Sequence, residues 1–120
     1  MPVALIVDDN RFFLRMETLL LECQGFEVAT AEDGAEGYTV FCDHMSRIDI
    51  VITDLMMPKL SGTELCKRIK KERPEVPVVL LTGDESPRND LHPEFDLVLH
   101  KPLDFDFGEM VKGLIYDSKA

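Results

Sequence analysis

Tryptophan is absent from this 120-residue chain, tyrosine occurs twice and cysteine three times. An odd count of widely spaced cysteines does not make a disulfide framework. Cys23, Cys42 and Cys66 each sit in an apolar helical pattern, which predicts buried, reduced thiols and a cytoplasmic protein. His44, His92 and His100 stand at no spacing that would complete a soft-metal site with them. Basic residues are also scarce: 13 Lys and Arg stand against 23 Asp and Glu, for a formal net charge of −10. That balance excludes nucleic acid as a direct partner, because a phosphate backbone is held by a Lys/Arg face. No apolar run approaches the ~18 residues of a bilayer span. The opening "MPVALIVDDN" has no basic segment before its apolar run and meets acid within ten residues, so no secretory signal is expected.

What the chain does have is alternation. "VALIV" (Val3–Val7), "FEVAT", "IDIVITD", "VPVVLLT" (Val76–Thr82) and "FDLVLHK" are short apolar runs of the kind buried on both faces of a parallel sheet. Helical patterns separate them. Asn10 is placed to cap the first helix, in which Phe12, Phe13, Met16, Leu19, Leu20 and Cys23 recur at helical spacing, and Gly25 is placed to stop it. A second helix carries Gly37. A third runs from Ser61 to Arg73 with Leu65 and Ile69 inward, Lys67, Arg68, Lys70 and Lys71 toward water, and Pro74 after it. Asp104 caps a last helix with Phe107, Met110, Val111, Leu114 and Ile115 as its stripe. Between Gly83 and Phe95 two prolines leave room for a fourth helix that is short or irregular. The pattern predicts one α/β domain over residues 1–120: a flavodoxin-like, doubly wound, five-stranded parallel sheet of order 2-1-3-4-5 with helices on both faces.

Ligands of such sheets bind beyond the carboxyl ends of the strands. Strand one delivers Asp8 and Asp9 there, strand three Asp54, strand four Thr82 and Gly83, and strand five Lys101 and Pro102. Two carboxylates ~4 Å apart repel by about 4 kcal/mol at an effective dielectric near 20, so the cluster calls for a cation. Its donors are all oxygen, which selects a hard ion, Mg²⁺, with several waters retained. Lys101 supplies a point charge for a phosphoryl oxygen and Thr82 a hydroxyl donor. The backbone N–H groups of Met56 and Gly83, beyond Asp54 and Thr82, can cradle an oxyanion. A carboxylate is a competent nucleophile toward phosphorus. Asp54, central in the sheet, is the best placed of the three, with Asp8 and Asp9 as metal acids.

With those residues in place the chain resembles the receiver domain of two-component response regulators along essentially its whole length. "LIVDDN" resembles the family's acidic pair, "DLMMPKLSG" its D-x-x-M-P-x-x-x-G phosphoacceptor signature, "LLTG" its switch threonine and "HKP" its Lys–Pro pair. The resemblance implies that Asp54 takes a phosphoryl group from the phosphohistidine of a sensor histidine kinase or phosphotransfer protein. It implies Mg²⁺ on Asp9, on Asp8 largely through water, on Asp54 and on the Met56 carbonyl. It also implies a switch at Thr82, a Lys101–phosphate pair, a cis bond before Pro102 and self-catalysed loss of the phosphoryl group, tuned from Met56 and Asp84.

The chain departs from the pattern in two places. Val98 stands three residues before Lys101, where the family usually has Tyr or Phe, so the aromatic switch is missing. The segment from Thr82 to Lys101 is also short and proline-rich. Both fall on the face where many receivers dock or form homodimers, and an order–disorder change over residues 83–95 is one expectation for the output. Three other readings stay open. A pseudo-receiver would bind partners without taking phosphate. A flavodoxin-like cofactor binder would need a Gly- and hydroxyl-rich loop where this chain has "DDNR". An aspartate phosphatase would carry its nucleophile on strand one and need a cap domain.

Overall fold

The fold was analysed in a computed structural model, which describes residues 1–83, 93–101 and 107–119, with side chains up to Ile115 in the last helix. The apolar runs are strands: β1 (Val3–Val7), β2 (Glu27–Ala31), β3 (Ile50–Thr53), β4 (Val78–Thr82) and β5 (Leu97–His100). They pair in parallel in the order β2-β1-β3-β4-β5. Every residue of β3 and β4 is buried, as continuous Val/Ile/Leu runs require when both faces are covered. Side chains alternate across the sheet. Leu5, Val7, Val51 and Leu80 pack with α2 (Gly34–Asp43) and α3 (Gly62–Glu72) through Phe41, Leu65 and Ile69. Ala4, Ile6, Ile50, Ile52, Val79 and Leu81 pack with α1 (Arg11–Cys23) and α4 (Phe107–Lys119) through Leu14, Leu21, Phe107, Val111 and Ile115. The expected architecture is therefore the observed one. The expected short helix between Pro87 and Pro93, the Asp104 cap and the Lys101–Pro102 bond fall outside the described residues.

The helix ends follow the capping signals. Asn10 Oδ1 accepts from the backbone N–H groups of Phe12 and Phe13, Asp33 from Glu36, and Ser61 Oγ from Glu64. Gly25 closes α1 with φ +88°, a left-handed position that glycine adopts without strain. Gly37 has a packing reason to be inside α2: a Cβ there would lie 2.8 Å from a Val7 methyl, so helix and strand approach closely.

Three expectations are corrected. The inward stripe of α1 is Leu14, Glu17 and Leu21, whereas Phe12, Leu19 and Cys23 are exposed. Apolar residues on three sides of that helix leave its phase undetermined by spacing alone. Of the cysteines, only Cys66 is buried; Cys23 and Cys42 lie at the surface, and all three are unbridged. Lys70 is not a solvated member of the basic run. Its Nζ donates to the Val76 carbonyl at 2.7 Å and to Asp96 Oδ2 at 2.6 Å, while Asp96 also accepts from Val78 N at 2.8 Å. This knot ties the end of α3 to the start of β4 and to the turn before β5.

Two glycines give opposite expectations. A Cβ on Gly62 would stand 2.1 Å from the Asp54 carbonyl oxygen, which is backbone and cannot yield locally. Gly62→Ala is expected to lower unfolding free energy by about 2 kcal/mol or more. Gly113 lies in α4 with open space around a Cβ, so Gly113→Ala should raise it by up to about 1 kcal/mol. Urea titration of both variants beside the wild type checks the pair.

Candidate functional site

Parallel register builds the site. Val7 pairs with Thr53 across β1 and β3, so Asp8 and Asp54, each one residue further on, leave the sheet side by side. Asp8 N donates to the Ala31 carbonyl and Asp54 N to the Val7 carbonyl, extending both ladders up to the acids. Asp8 is fully buried, Asp9 exposed and Asp54 between the two. One carboxylate oxygen from each lies within 4.8 Å of the others. Lys101 arrives from the end of β5, with its backbone N–H on the Thr82 carbonyl at 2.8 Å. Its Nζ donates to Asp8 Oδ2 at 2.9 Å and to Asp54 Oδ2 at 3.4 Å, and its side chain is only 10% exposed.

The loop beyond Asp54 is held from several directions. Leu55 N donates to Asp54 Oδ1 at 2.7 Å, and Gly62 N to the Leu55 carbonyl at 2.8 Å. Lys59 has φ +69°, with Leu60 N donating to the Pro58 carbonyl around it, which is a strained γ-turn. A Cβ on Gly34 would lie 2.0 Å from the Leu60 carbonyl oxygen, so α2 presses on the loop from below. Met56 projects outward and is 76% exposed. Thr82 is buried at the end of β4, opposite His100 in the ladder, and Gly83 beyond it is exposed. Val98 is buried in the apolar layer shared with α2 and α3. The structure thus brings Asp8, Asp9, Asp54 and Lys101 into one cluster and sets Thr82 at the same rim.

Two residues of α1 join the site: Phe13, which belongs to the apolar pattern of that helix in the sequence, and Glu17, which sequence reasoning did not single out. Phe13 places its ring centroid 4.3 Å from Lys101 Nζ. Glu17, one turn later, is buried beneath Asp8 with no hydrogen-bond partner on Oε2 among the described residues. Burial, followed by the charge of Asp8, pushes the Glu17 carboxyl up to about 9, against the smaller opposing pull of Lys101. Its one sequence signal is the i, i+4 relation to Phe13 on a helix that starts at the acids.

Burial also raises Asp54 above the ordinary carboxylate range, although Lys101 and the Leu55 N–H pull the other way. Burial alone would lower Lys101, but the hydrogen bond and charge of Asp8, with the charge of Asp54, outweigh it and hold the ammonium above the usual lysine value. The acids therefore leave excess negative charge beside one ammonium. An all-oxygen set with one exposed member fits a hard divalent cation that keeps part of its water.

The model of the response regulator receiver domain matches residues 4–111. The chain belongs to the response regulator receiver family. Among curated relatives, the receiver is 32% identical over 102 residues to the alkaline phosphatase synthesis regulator PhoP of Bacillus subtilis, a match over 85% of this chain and 39% of that protein. It is 40% identical over 82 residues to the transcriptional regulator GlrR of Escherichia coli, covering 68% of this chain and 18% of that one. The chain thus spans a minor part of these relatives. Among solved structures, a receiver domain from Clostridium thermocellum superposes with TM-score 0.88 at 34% identity over 99% and 98% of the two chains. The regulator TrrA of Thermotoga maritima, solved in complex with Mg²⁺-BeF, gives TM-score 0.85 at 34% identity over 95% and 99%. No helix among the described residues is long and apolar enough to cross a membrane.

Glu17 makes stability depend on pH in a definite direction. Unfolded, it titrates near the ordinary glutamate value of 4.5; folded among Asp8, Asp54 and Lys101, near 9. Below 4.5 both states hold the proton and nothing is lost. Between the two values the unfolded chain releases a proton that the folded one keeps, so stability falls as pH rises. In metal-free protein, Glu17→Gln is expected to gain on the wild type by more than about 1 kcal/mol between pH 5 and pH 8.5 in denaturant titrations.

Proposed function

We propose that this receiver accepts a phosphoryl group on Asp54 from the phosphohistidine of a sensor histidine kinase or histidine phosphotransfer protein, in a Mg²⁺-dependent reaction in the cytoplasm. The observation that carries the reading is Asp54 itself. It is partly exposed, its side chain 16% accessible, at the end of a buried strand, beside Asp8, with an ammonium 3.4 Å from its Oδ2. TrrA, a relative of this chain, was solved with Mg²⁺-BeF, and a chain of the CheX-CheY-BeF3-Mg²⁺ complex from Borrelia burgdorferi is 26% identical to this one with TM-score 0.86. Both lend support to the reading.

Asp54 Oδ2 attacks phosphorus, the P–N bond to the donor histidine breaks, and the imidazole nitrogen leaves with the electron pair. Lys101 stays charged and pairs with a phosphoryl oxygen as its contact to Asp54 is given up. The Thr82 hydroxyl and the N–H groups of Met56 and Gly83 donate to the remaining oxygens. Asp8, Asp9, Asp54 and the Met56 carbonyl would hold Mg²⁺, which when bound neutralises the carboxylates and the incoming phosphoryl charge. Asp8 is additionally held by Lys101, leaving exposed Asp9 as the acid freest to approach the ion directly. The new dianion biases a two-state equilibrium that includes Thr82, and the altered surface is read by a protein partner.

Intact-mass measurement after incubation with acetyl phosphate tests this reading. The expected result is one phosphoryl adduct that needs Mg²⁺, is abolished by EDTA and is missing from Asp54→Asn. An unmodified wild type that nonetheless binds Mg²⁺ would overturn it.

A further inference from the structure

The phosphoryl-binding ammonium rests on an aromatic face. Phe13 is a large, half-buried ring, yet among the described residues it packs in neither of the two apolar layers of the domain. It lies against Lys101 Nζ instead, 4.3 Å from the ring centroid. An ammonium has three N–H donors. Asp8 Oδ2 and Asp54 Oδ2 take two of them, and the ring quadrupole meets the cation from another side. The side chain is 10% exposed, so water screens the contact poorly, which is the regime where cation–π attraction is strongest.

The same acid that holds the lysine also orients the ring. Asp8 Oδ1 accepts from Asn10 N at 2.9 Å, and Asn10 Oδ1 in turn accepts from Phe13 N at 3.2 Å. Asp8, Asn10, Phe13 and Lys101 therefore form a closed circuit of interactions: carboxylate to backbone, cap to backbone, ring to ammonium and ammonium back to carboxylate. Phe12 meets Phe13 edge-on, with centroids 5.7 Å apart and planes at 77°, which limits how the ring can tilt.

We infer that Phe13 is a positioning residue for the phosphorylation reaction: its ring fixes the Lys101 ammonium over Asp54, so that the charge stands ready when the phosphoryl group arrives. The inference rests on the phosphoacceptor reading of Asp54. During transfer Lys101 must exchange one carboxylate contact for a phosphoryl oxygen, and the ring is the neighbour that need not change. A free ammonium on a four-carbon stem would have to be re-ordered in each turnover.

The test compares wild type, Phe13→Leu and Phe13→Tyr, each first checked for an unchanged thermal midpoint and circular dichroism spectrum. Two quantities are read: the rate of phosphorylation by acetyl phosphate with Mg²⁺, and the chemical shift of the Lys101 ε-methylene protons. In the wild type those protons are expected upfield, displaced by the ring current. Phe13→Leu should lose the displacement and slow phosphorylation about two- to thirtyfold. Phe13→Tyr, which keeps the aromatic face, should restore both. A Leu variant within twofold of the wild-type rate, or a folded Tyr variant as slow as Leu, would overturn the inference. If the wild type takes no phosphoryl group, the phosphoacceptor reading has failed instead. The proton shift then decides the ring–ammonium contact by itself: upfield in wild type and lost in Leu upholds it, and no displacement in wild type refutes it.

Discussion

Three carboxylates gathered at one rim repel one another, and much of the domain serves to keep them there. Two such charges ~4 Å apart cost about 4 kcal/mol at an effective dielectric near 20, a large fraction of what a small domain has in reserve. What holds them is the rigidity of a sheet whose central strands are buried on both faces and whose ladders run up to Asp8 and Asp54 without a break. Lys101 offsets part of the repulsion from the opposite side, and its own burial is supported by the acids it faces. The loop beyond Asp54 is then packed so closely against Gly34 and Gly62 that the acid cannot swing away from its neighbours.

The parts of this arrangement that were legible from residue order are those with local physics. Continuous Val/Ile/Leu runs announce strands covered on both faces, Asn10 and Ser61 announce helix starts, and acids placed just past such runs must emerge at one edge of a parallel sheet. The illegible parts depend on rotation and on distance through space. α1 carries apolar residues on three sides, so spacing alone favoured a stripe through Phe12 and Leu19, while the folded helix turns Leu14, Glu17 and Leu21 inward. A glutamate at the core phase reads as surface until the neighbouring helix and strand are in place. Lys70 is similar: only the fold brings Asp96 and the Val76 carbonyl within its reach.

Val98 shows how a departure from pattern is absorbed. The side chain is buried and shares the layer of Leu80, Phe95 and Leu65. An aliphatic residue here fills the interior as a β-branched strand residue should, so the absence of an aromatic leaves the sheet intact. The ring that the family resemblance leads one to expect at this position is replaced by an aliphatic side chain. Among the described residues, the aromatic rings that approach Lys101 belong to α1.

That placement has a consequence for how such a domain can change over time. Phe12 is 66% exposed and touches Phe13 edge-on, and Phe13 touches Lys101. A protein that settles on Phe12 is therefore one aromatic edge away from the Lys101 ammonium. Surface residues that choose partners can ordinarily drift without disturbing chemistry. With Phe13 positioning Lys101 as inferred above, the first turn of α1 would belong to both, so a substitution that redirects recognition would also reset reactivity, and the two traits would be inherited together.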